Sequence, residues 1–228
     1  MGAFGGPNIV EDGLVFSADA GNKQCYISGS ASPDIIIDSI KGAQGTVDNT
    51  ITYNPANGGY WVFDGSDSDI ALGAQTAGQW SSDPCTFEFW ARYNTNNKLL
   101  YMDRTSWNGT EGVEFFVYSN NKFYARASGN GSTAPAAISS ALSSGVWYQL
   151  VGVFNGTDGK AYVNGVEDGT ETIIPVNDST GNSYIGVYGD GSTSEWDGDI
   201  AIVRIYHKAL TAEEVQQNYI STKDRFGL

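Results

Sequence analysis

The sequence is poor in the groups that carry out metal, redox or nucleophilic chemistry. It contains two cysteines, Cys25 and Cys85, neither in a Cys-x-x-Cys pair, and a single histidine, His207. Zinc and redox motifs are therefore absent, and no Gly-x-Ser-x-Gly elbow accompanies His207 in a hydrolase triad. The two cysteines form either a disulfide or two buried free thiols. The second alternative is favoured because free cysteine is among the most buried residue types.

Basic residues and long apolar runs are also scarce. The chain has 12 Lys and Arg against 26 Asp and Glu, which gives a formal net charge of −14. Such a chain repels phosphates and anionic lipids, so we expect neither nucleic acid nor a membrane as a partner. No run of 18 apolar residues predicts a membrane span, and the N-terminus lacks the features of a secretory signal. Residues 1–12 are predicted to be a flexible arm that precedes one domain over residues 13–228.

Strand and turn residues, in contrast, are abundant. Aromatics make up 13% of the chain, which also contains 29 glycines. Strand-like runs alternate with turn signals, and no helical segments separate them, which predicts an all-β sandwich of two antiparallel sheets. The last run, IAIVRIY, is apolar on both faces and is predicted to be an inner strand. The predicted strands are residues 13–18, 59–63, 70–72, 85–93, 113–118, 122–127, 146–154, 160–163, 184–187 and 200–206.

One short helix is predicted near the C-terminus. Thr211 and Glu214 form a capping box, and Leu210 and Val215 fit the hydrophobic staple that accompanies it. We expect this helix to lie against the edge or bottom of a sheet. Residues 128–144 are predicted to be either a long loop or, over AISSAL, an edge strand.

Four segments together resemble a known family. GGYWVFDGSDSDIAL, CTFEFWARY, VWYQLVGVFNGTDGKAYVNGVEDG and YIGVYGDGSTSEWDGDIAIVRIYHKALTAEEVQQNY occur in the order typical of laminin-G-like, concanavalin A-like domains. The resemblance covers residues 13–228 with gaps and implies a two-sheet jelly roll. GLVFSADAGN and QQNYISTKDRFGL resemble the copies found in virion proteins of tailed, often marine, bacteriophages. Relatives of this fold include lectins and glycosidases, so the fold alone does not specify a function.

Three acids, Glu195, Asp197 and Asp199, precede the last predicted strand. Sandwich glucanases of this fold carry Glu-x-Asp-x-x-Glu, but here the third position is Ile200. A retaining glycosidase needs two carboxyl groups about 5 Å apart, and the acid/base position is missing from this pattern. We therefore assign no catalytic residue and expect a protein that is not an enzyme.

Two of these acids, Asp197 and Asp199, are also candidates for a calcium site. Calcium takes six to eight oxygen ligands, often from loop aspartates. Asp64, Asp67 and Asp69 in DGSDSD are candidate ligands, and Asp197 and Asp199 are expected at the same rim of the sandwich. The alternative is that Asp64 forms an Asx turn and binds only backbone N–H groups. We expect that the protein requires no cofactor, and calcium is the one ion that it could bind as an optional ligand.

A saccharide site is a further hypothesis, because lectins combine flat aromatic rings with polar side chains. Trp61, Trp90 and Trp147 lie in predicted strands and are expected in the core. A tryptophan in a loop either contacts the ligand or packs under its loop. The candidate saccharide-binding residues are Trp107, Trp196, Tyr188, Asp103, Asn108 and Asp190.

The resemblance to the bacteriophage copies, together with the missing catalytic pattern, implies a non-enzymatic structural protein of the virion surface, such as a capsid decoration, head fibre or tail-associated module. It would be assembled in the host cytoplasm, contact other virion proteins and bind host-surface glycans weakly, with repeated copies adding avidity. Assembly into a homo-oligomer stays open. The alternative is a free carbohydrate-binding lectin, and a sandwich-fold glycosidase is less favoured.

Overall fold

The computed structural model describes residues 7–25, 35–40, 42, 44–48, 51–73, 84–103, 111–127, 134–173, 176, 179, 182–187 and 194–228. These residues form two antiparallel sheets that pack face to face, with an α-helix, α1 (Ala212–Thr222), and two short 3₁₀ segments (Ala56–Gly58 and Lys223–Phe226). The predicted all-β sandwich with a C-terminal helix is confirmed. No helix within the described ranges has the length and apolarity to cross a membrane.

The strands are numbered in chain order. They are β1 (Leu14–Asp19), β2 (Ile35–Ile37), β3 (Gln44–Asp48), β4 (Thr52–Asn54), β5 (Tyr60–Asp64), β6 (Asp69–Gly73), β7 (Cys85–Tyr93), β8 (Lys98–Asp103), β9 (Val113–Val117), β10 (Lys122–Arg126), β11 (Ala136–Ala141), β12 (Tyr148–Phe154), β13 (Asp158–Val163), β14 (Val166–Thr172), β15 (Ser183–Ile185) and β16 (Asp197–Tyr206).

Sheet I contains the long strand β16 near its centre. Its order is β14-β13-β12-β7-β16-β5-β4, and β1 also pairs with β16. Strand β7 runs along one side of β16, while β5 pairs with the N-terminal half of the other side and β1 with the C-terminal half. The IAIVRIY segment is therefore an inner strand, as its two apolar faces predict.

Sheet II has the order β11-β10-β9-β8-β15-β6-β3-β2. Its edge strand β11 contains most of the AISSAL segment, which confirms the edge-strand alternative for that stretch. β11 also meets sheet I, because the N–H and hydroxyl groups of Ser140 donate to the Asp168 carboxylate of β14 at 2.7 and 2.9 Å.

Aromatic side chains from both sheets fill the space between them. Phe87 and Phe89 of β7 contact Tyr101 and Phe115 of sheet II, with ring centroids 4.9–6.0 Å apart. Gly152 of β12 allows this approach, since a Cβ atom there would lie 2.3 Å from the Phe115 ring. This is the core that the alternation of CTFEFWARY predicts. Cys25 and Cys85 are both buried thiols that are not joined in a disulfide, which confirms the favoured alternative.

Helix α1 begins at the predicted cap. The Thr211 side chain accepts from the Glu214 N–H, and the Glu214 side chain accepts from the Thr211 N–H. Leu210 and Val215 are buried in one cluster, consistent with the hydrophobic staple. The helix covers the outer face of sheet I and also contacts the edge strand β14, so the expected position at a sheet edge is confirmed in part.

Aromatic stacking holds the C-terminal segment on this face. The Trp90 ring of β7 stacks on Phe226 with centroids 4.4 Å apart and on Tyr219 at 5.9 Å. Both partners come from the last turns of the chain, so the outward side of β7 is covered. Trp61, Trp90 and Trp147 are all buried, as predicted.

A polar network lies beneath α1. The fully buried Glu88 of β7 accepts from Gln149 (3.0 Å), Arg204 (3.0 Å) and Asn218 (2.8 Å). Asn218 of α1 also donates to the Tyr206 hydroxyl at 2.9 Å. Burial, and next the nearby Glu88 carboxylate, raise the pKa of the Tyr206 hydroxyl well above its usual range, so it stays protonated.

The N-terminal segment is attached to the same helix. The Val10 N–H donates to Asn218 Oδ1 at 2.7 Å, and Gln217 donates to the Asn8 carbonyl at 2.7 Å. Lys208 pairs with Asp12 at 2.8 Å. Residues 8–12 of the predicted arm are therefore anchored, which corrects that part of the prediction, while residues 1–6 lie outside the described residues.

The Asn218→Ala substitution tests the importance of this network. It removes donors to Glu88 and Tyr206 and the acceptor of the Val10 N–H, so buried polar groups lose their partners. We expect the free energy of unfolding to fall by about 2–4 kcal/mol, measured by urea denaturation. The control Gln216→Ala, on the same helix, should change it by less than about 0.5 kcal/mol. Equal denaturation midpoints for the two variants would contradict a stabilising network.

Candidate functional site

The DGSDSD segment forms a tight turn between β5 and β6. Asp64 Oδ1 accepts from the N–H groups of Ser66 (2.9 Å) and Asp67 (3.3 Å) and from the Ser68 hydroxyl (2.9 Å). Gly65 adopts φ +75°, which suits glycine in such a turn. The Asx-turn alternative therefore describes the observed role of Asp64.

The five aspartates proposed as calcium ligands are not brought together. Among the residues that the structure describes, no three carboxylate, imidazole or thiol groups are arranged to share a metal ion. Asp64 and Asp197 are register partners across β5 and β16, but each has its own set of donors. Three of the five have separate partners: turn N–H groups for Asp64, Asn94 and Thr95 for Asp197, and Arg92 for Asp199.

Asp197 anchors the loop that joins β7 to β8. Its two oxygens accept from Asn94 Nδ2 at 3.0 Å and from the Thr95 hydroxyl at 2.8 Å. In the same loop, Asn96 Nδ2 donates to the Ser119 carbonyl at 3.2 Å and to Asn121 Oδ1 at 2.7 Å. Asp197 therefore connects β16 to the β9–β10 hairpin through this loop.

Asp199 has a different partner. It lies opposite Arg92 in the β16–β7 register, and the guanidinium of Arg92 binds its carboxylate through Nε (2.7 Å) and Nη2. Arg92 also lies over the rings of Tyr60 and Trp147, at 5.6 and 5.2 Å from their centroids. Burial raises the pKa of the Asp199 carboxyl above its ordinary value, and Arg92 acts in the opposite direction. Asp197 and Asp199 thus have separate attachments.

The candidate saccharide residues are only partly described. Trp196 is 0% exposed and belongs to the core cluster, so the expectation of an exposed ring is corrected: this tryptophan packs under its loop. Asp103 is also fully buried, opposite Val113 and Ser183 at the end of β8, away from any ligand at the surface. Trp107, Asn108, Tyr188 and Asp190 lie outside the described residues.

The outer face of sheet II carries a set of aromatic and polar side chains that the sequence analysis did not identify. Strand alternation directs them away from the core, and the inter-strand register aligns them in three rows. The rows are Tyr118, Lys122 and Ala141; Leu99, Phe116, Tyr124 and Ile138; and Tyr184, Met102, Glu114, Arg126 and Ala136.

Three rings on this face, Phe116, Tyr118 and Tyr124, form what we call the aromatic cluster. Phe116 and Tyr124 stack with centroids 4.9 Å apart, and Tyr118 meets both edge-on at 6.0 and 5.6 Å. Tyr118 is 45% exposed, while Phe116 is buried beneath its neighbours. The cluster thus presents one ring to solvent on a packed aromatic base.

A charged pair borders the aromatic cluster. Arg126 Nη1 binds Glu114 Oε1 at 2.5 Å, and both side chains are buried. The Arg126 guanidinium also lies 4.8 Å from the Phe116 ring centroid, a cation–π arrangement that fixes this ring from one side.

The β9–β10 turn holds the exposed tyrosine in position. Residues 119–121 connect the strands, Asn121 adopts the left-handed conformation (φ 60°), and the Tyr118 N–H donates to the Lys122 carbonyl at 3.0 Å. A three-residue loop with an αL residue is a common hairpin connection. Asn120 Nδ2 donates to the Tyr124 hydroxyl at 2.9 Å, so the turn also fixes the aromatic cluster.

A signal for this face exists in the sequence. In VEFFVY the residues Glu114, Phe116 and Tyr118 share one face, and in KFYAR the residues Tyr124 and Arg126 face the same way. When aromatic and charged residues occupy the same alternate positions of a strand, they share one face, and the charged residues indicate that this face points away from the core. The predicted saccharide site was based on tryptophans in loops and did not include these strand residues.

The Asp197→Ala substitution tests the anchoring of the β7–β8 loop. It removes the acceptors of Asn94 and Thr95, each hydrogen bond contributing about 1 kcal/mol. We expect amides 94–97 to exchange with solvent about ten-fold faster, measured by hydrogen exchange. The control Asp224→Ala removes a carboxylate that is 90% exposed and should leave this loop unchanged. Unaltered exchange in Asp197→Ala would show that the loop does not depend on this carboxylate.

Solved structures share this architecture at low sequence identity. A Trypanosoma rangeli sialidase in complex with sialic acid matches at 16% identity and TM-score 0.66, covering 93% of this chain and 33% of the sialidase. The binding domain of Paraclostridial Mosquitocidal Protein 1 matches at 15% identity and TM-score 0.68, covering 91% and 52%. The chain therefore spans about a third of the sialidase and half of the mosquitocidal binding domain, and these likenesses show the fold.

Another similar structure is a separate domain. Domain 4 of AbnA, an extracellular GH43 arabinanase from Geobacillus stearothermophilus, was solved in complex with arabinotriose and matches at 20% identity and TM-score 0.67, covering 92% of this chain and all of that domain. No curated protein sequence matches the chain. A family profile described as "Concanavalin A-like lectin/glucanases superfamily" matches residues 64–216, about two thirds of the sequence. With its two-sheet sandwich, this laminin-G-like chain belongs to the concanavalin A-like lectin/glucanase superfamily.

Proposed function

We propose that this chain is a non-enzymatic saccharide-binding module whose ligand lies on the aromatic cluster of sheet II. The observation that carries this proposal is Tyr118, an exposed ring held edge-on against the stacked pair of Phe116 and Tyr124. A sugar ring can pack its C–H groups on such a surface. The Tyr118 side chain loses little conformational entropy on binding, because the two rings beneath it already fix its position.

Polar groups beside the aromatic cluster suit a ligand rich in hydroxyl groups. Asn120 and Asn121 lie in the turn next to Tyr118, and the β7–β8 loop supplies Asn96. Asparagine side chains donate and accept hydrogen bonds at once, as sugar hydroxyls do. A flat ring with amides at its border is the arrangement that the lectin hypothesis requires. It lies on a strand and its hairpin turn rather than in the loops that carry Trp107 and Trp196.

The opposite face of the sandwich is covered in part by the chain itself. Helix α1 and the C-terminal 3₁₀ turn cover the outer face of sheet I, where Trp90 stacks on Tyr219 and Phe226. The likeness to domain 4 of the arabinanase, which holds arabinotriose, supports a saccharide ligand for a module of this architecture. Sheet II is thus the face we assign to the ligand.

The proposal does not include catalysis. A glycosidase needs one carboxyl as a nucleophile or base and another as an acid. Asp197 is engaged by Asn94 and Thr95, and Asp199 by Arg92. These attachments support an anchoring role for the acids that precede and begin β16.

The Tyr118→Ala substitution tests the saccharide proposal. Screening the intact chain on an array of neutral and acidic oligosaccharides identifies a ligand, and titration calorimetry then measures its affinity. We expect Tyr118→Ala to weaken binding about ten-fold, because the stacking surface is lost, and Tyr118→Phe to retain most of it. The control Val166→Ala, at a 61% exposed residue of β14, should have no effect. The proposal fails if no saccharide binds, or if Tyr118→Ala binds as tightly as the unmodified chain.

A virion-surface location is a second, separate proposal, supported by the bacteriophage-like segments 13–22 and 216–228. These segments contact each other: Arg225 donates to Asp19 Oδ1 at 2.7 Å and to the carbonyls of Asn57 and Gly59. We expect mass spectrometry of purified particles to detect this chain with head or tail proteins. Its absence from such particles, while present in the producing cells, would contradict the virion location and leave the saccharide proposal intact.

A further inference from the structure

Lys122 stands directly opposite the exposed ring of the aromatic cluster. The β9–β10 register and the hydrogen bond from Tyr118 N to Lys122 O make the two residues cross-strand partners on the outer face of sheet II. Side chains in such a pair begin about 5 Å apart at their Cβ atoms. A ligand packed on Tyr118 therefore lies within reach of the Lys122 ammonium group. On its other side, Lys122 pairs with the small, exposed Ala141 of β11. No large side chain at that position blocks a ligand from reaching the Lys122 ammonium group.

Lys122 differs from most cations of the described chain in having no acidic partner. Seven of the other lysines and arginines form ion pairs: Arg92, Arg126, Lys160, Arg204, Lys208, Lys223 and Arg225. Lys122 forms no ion pair with any residue that the structure describes, although acids outnumber bases 26 to 12 in the whole sequence. An unpaired ammonium beside an exposed ring is a favourable position for an anionic group of a ligand.

The other charged groups of this face do not cancel that charge. Glu114 is fully buried and already bound by Arg126, so this pair is neutral overall. Lys98, at the start of the neighbouring strand β8, is in register with the core-facing Val117 and donates to the Gly65 carbonyl at 3.1 Å, so it lies outside the rows of this face. The net charge of −14 opposes anions at long range, but salt screens that field beyond about 8–10 Å. Any preference for an acidic ligand must therefore come from the local cation.

We infer that the saccharide bound by this module is acidic, with its carboxylate on the Lys122 ammonium and its sugar ring on Tyr118. The class includes uronic and sialic acid residues, which carry a carboxylate directly on the sugar ring. The ammonium group donates charge-assisted hydrogen bonds to that carboxylate. This inference rests on the proposed saccharide function and adds the chemical class of its ligand.

Matched pairs of oligosaccharides test the inference with the full chain. Oligogalacturonate is compared with its methyl ester, and sialyllactose with its methyl ester, so that each pair differs in the carboxylate charge and in one methyl group for each acid. We expect the acid form to bind about ten-fold more tightly in at least one pair, measured by titration calorimetry at about 0.15 M salt, where the field of the net charge is screened. Lys122→Gln should remove this difference and Lys122→Arg should retain it. The control Lys23→Gln alters an exposed lysine outside this face and should change nothing.

The outcomes separate the two proposals. If acid and ester bind equally and Tyr118→Ala weakens both, the acidic-ligand inference is overturned while the saccharide proposal stands. If Lys122→Gln keeps the preference for the acid, the assignment of Lys122 is overturned. If neither these probes nor a neutral oligosaccharide array gives binding, both proposals fail together.

Discussion

The buried carboxylate of Glu88 is the group on which the arrangement of the two outer faces depends. It lies on the outward side of a central strand of sheet I, where an unpaired charge would be costly. Three donors, Gln149, Arg204 and Asn218, satisfy it, and Asn218 comes from helix α1. The helix must therefore lie over sheet I to complete the hydrogen bonds. Because Asn218 also accepts from Val10, the same requirement fixes the N-terminal segment.

This requirement makes the two sheets unequal. The outward side of sheet I is covered by a helix and by aromatic residues from the C-terminus, which stack on Trp90. The outward side of sheet II has its own buried charged pair, Glu114 and Arg126 on adjacent strands, and keeps an exposed tyrosine at its border. The two buried glutamates thus have different partners: Glu88 accepts from helix α1, whereas Glu114 binds Arg126 of the neighbouring strand.

Much of the fold could be predicted from the sequence, and most of the site could not. The alternation in residues 85–93 and the apolar faces of residues 200–206 reflect burial between sheets, and the Thr211 cap is a local motif. Strands such as β2 and β4 are three residues long, too short for a periodic signal. The polar strand β14 is held by its pairing with β13. The Tyr118–Lys122 pairing depends on the inter-strand register, which alternation alone does not give.

The acids of the rim show why residue type alone does not identify a site. Asp64, Asp197 and Asp199 have the spacing that calcium sites and glucanase motifs use, yet each carboxylate already accepts hydrogen bonds from named donors. The Asp197 bonds reach the β7–β8 loop, and Asn96 of that loop binds the turn beside Tyr118. Asp197 therefore acts on the aromatic face by positioning its border. Because this connection runs through exposed hydrogen bonds, it is the part of the face most able to adjust to a ligand.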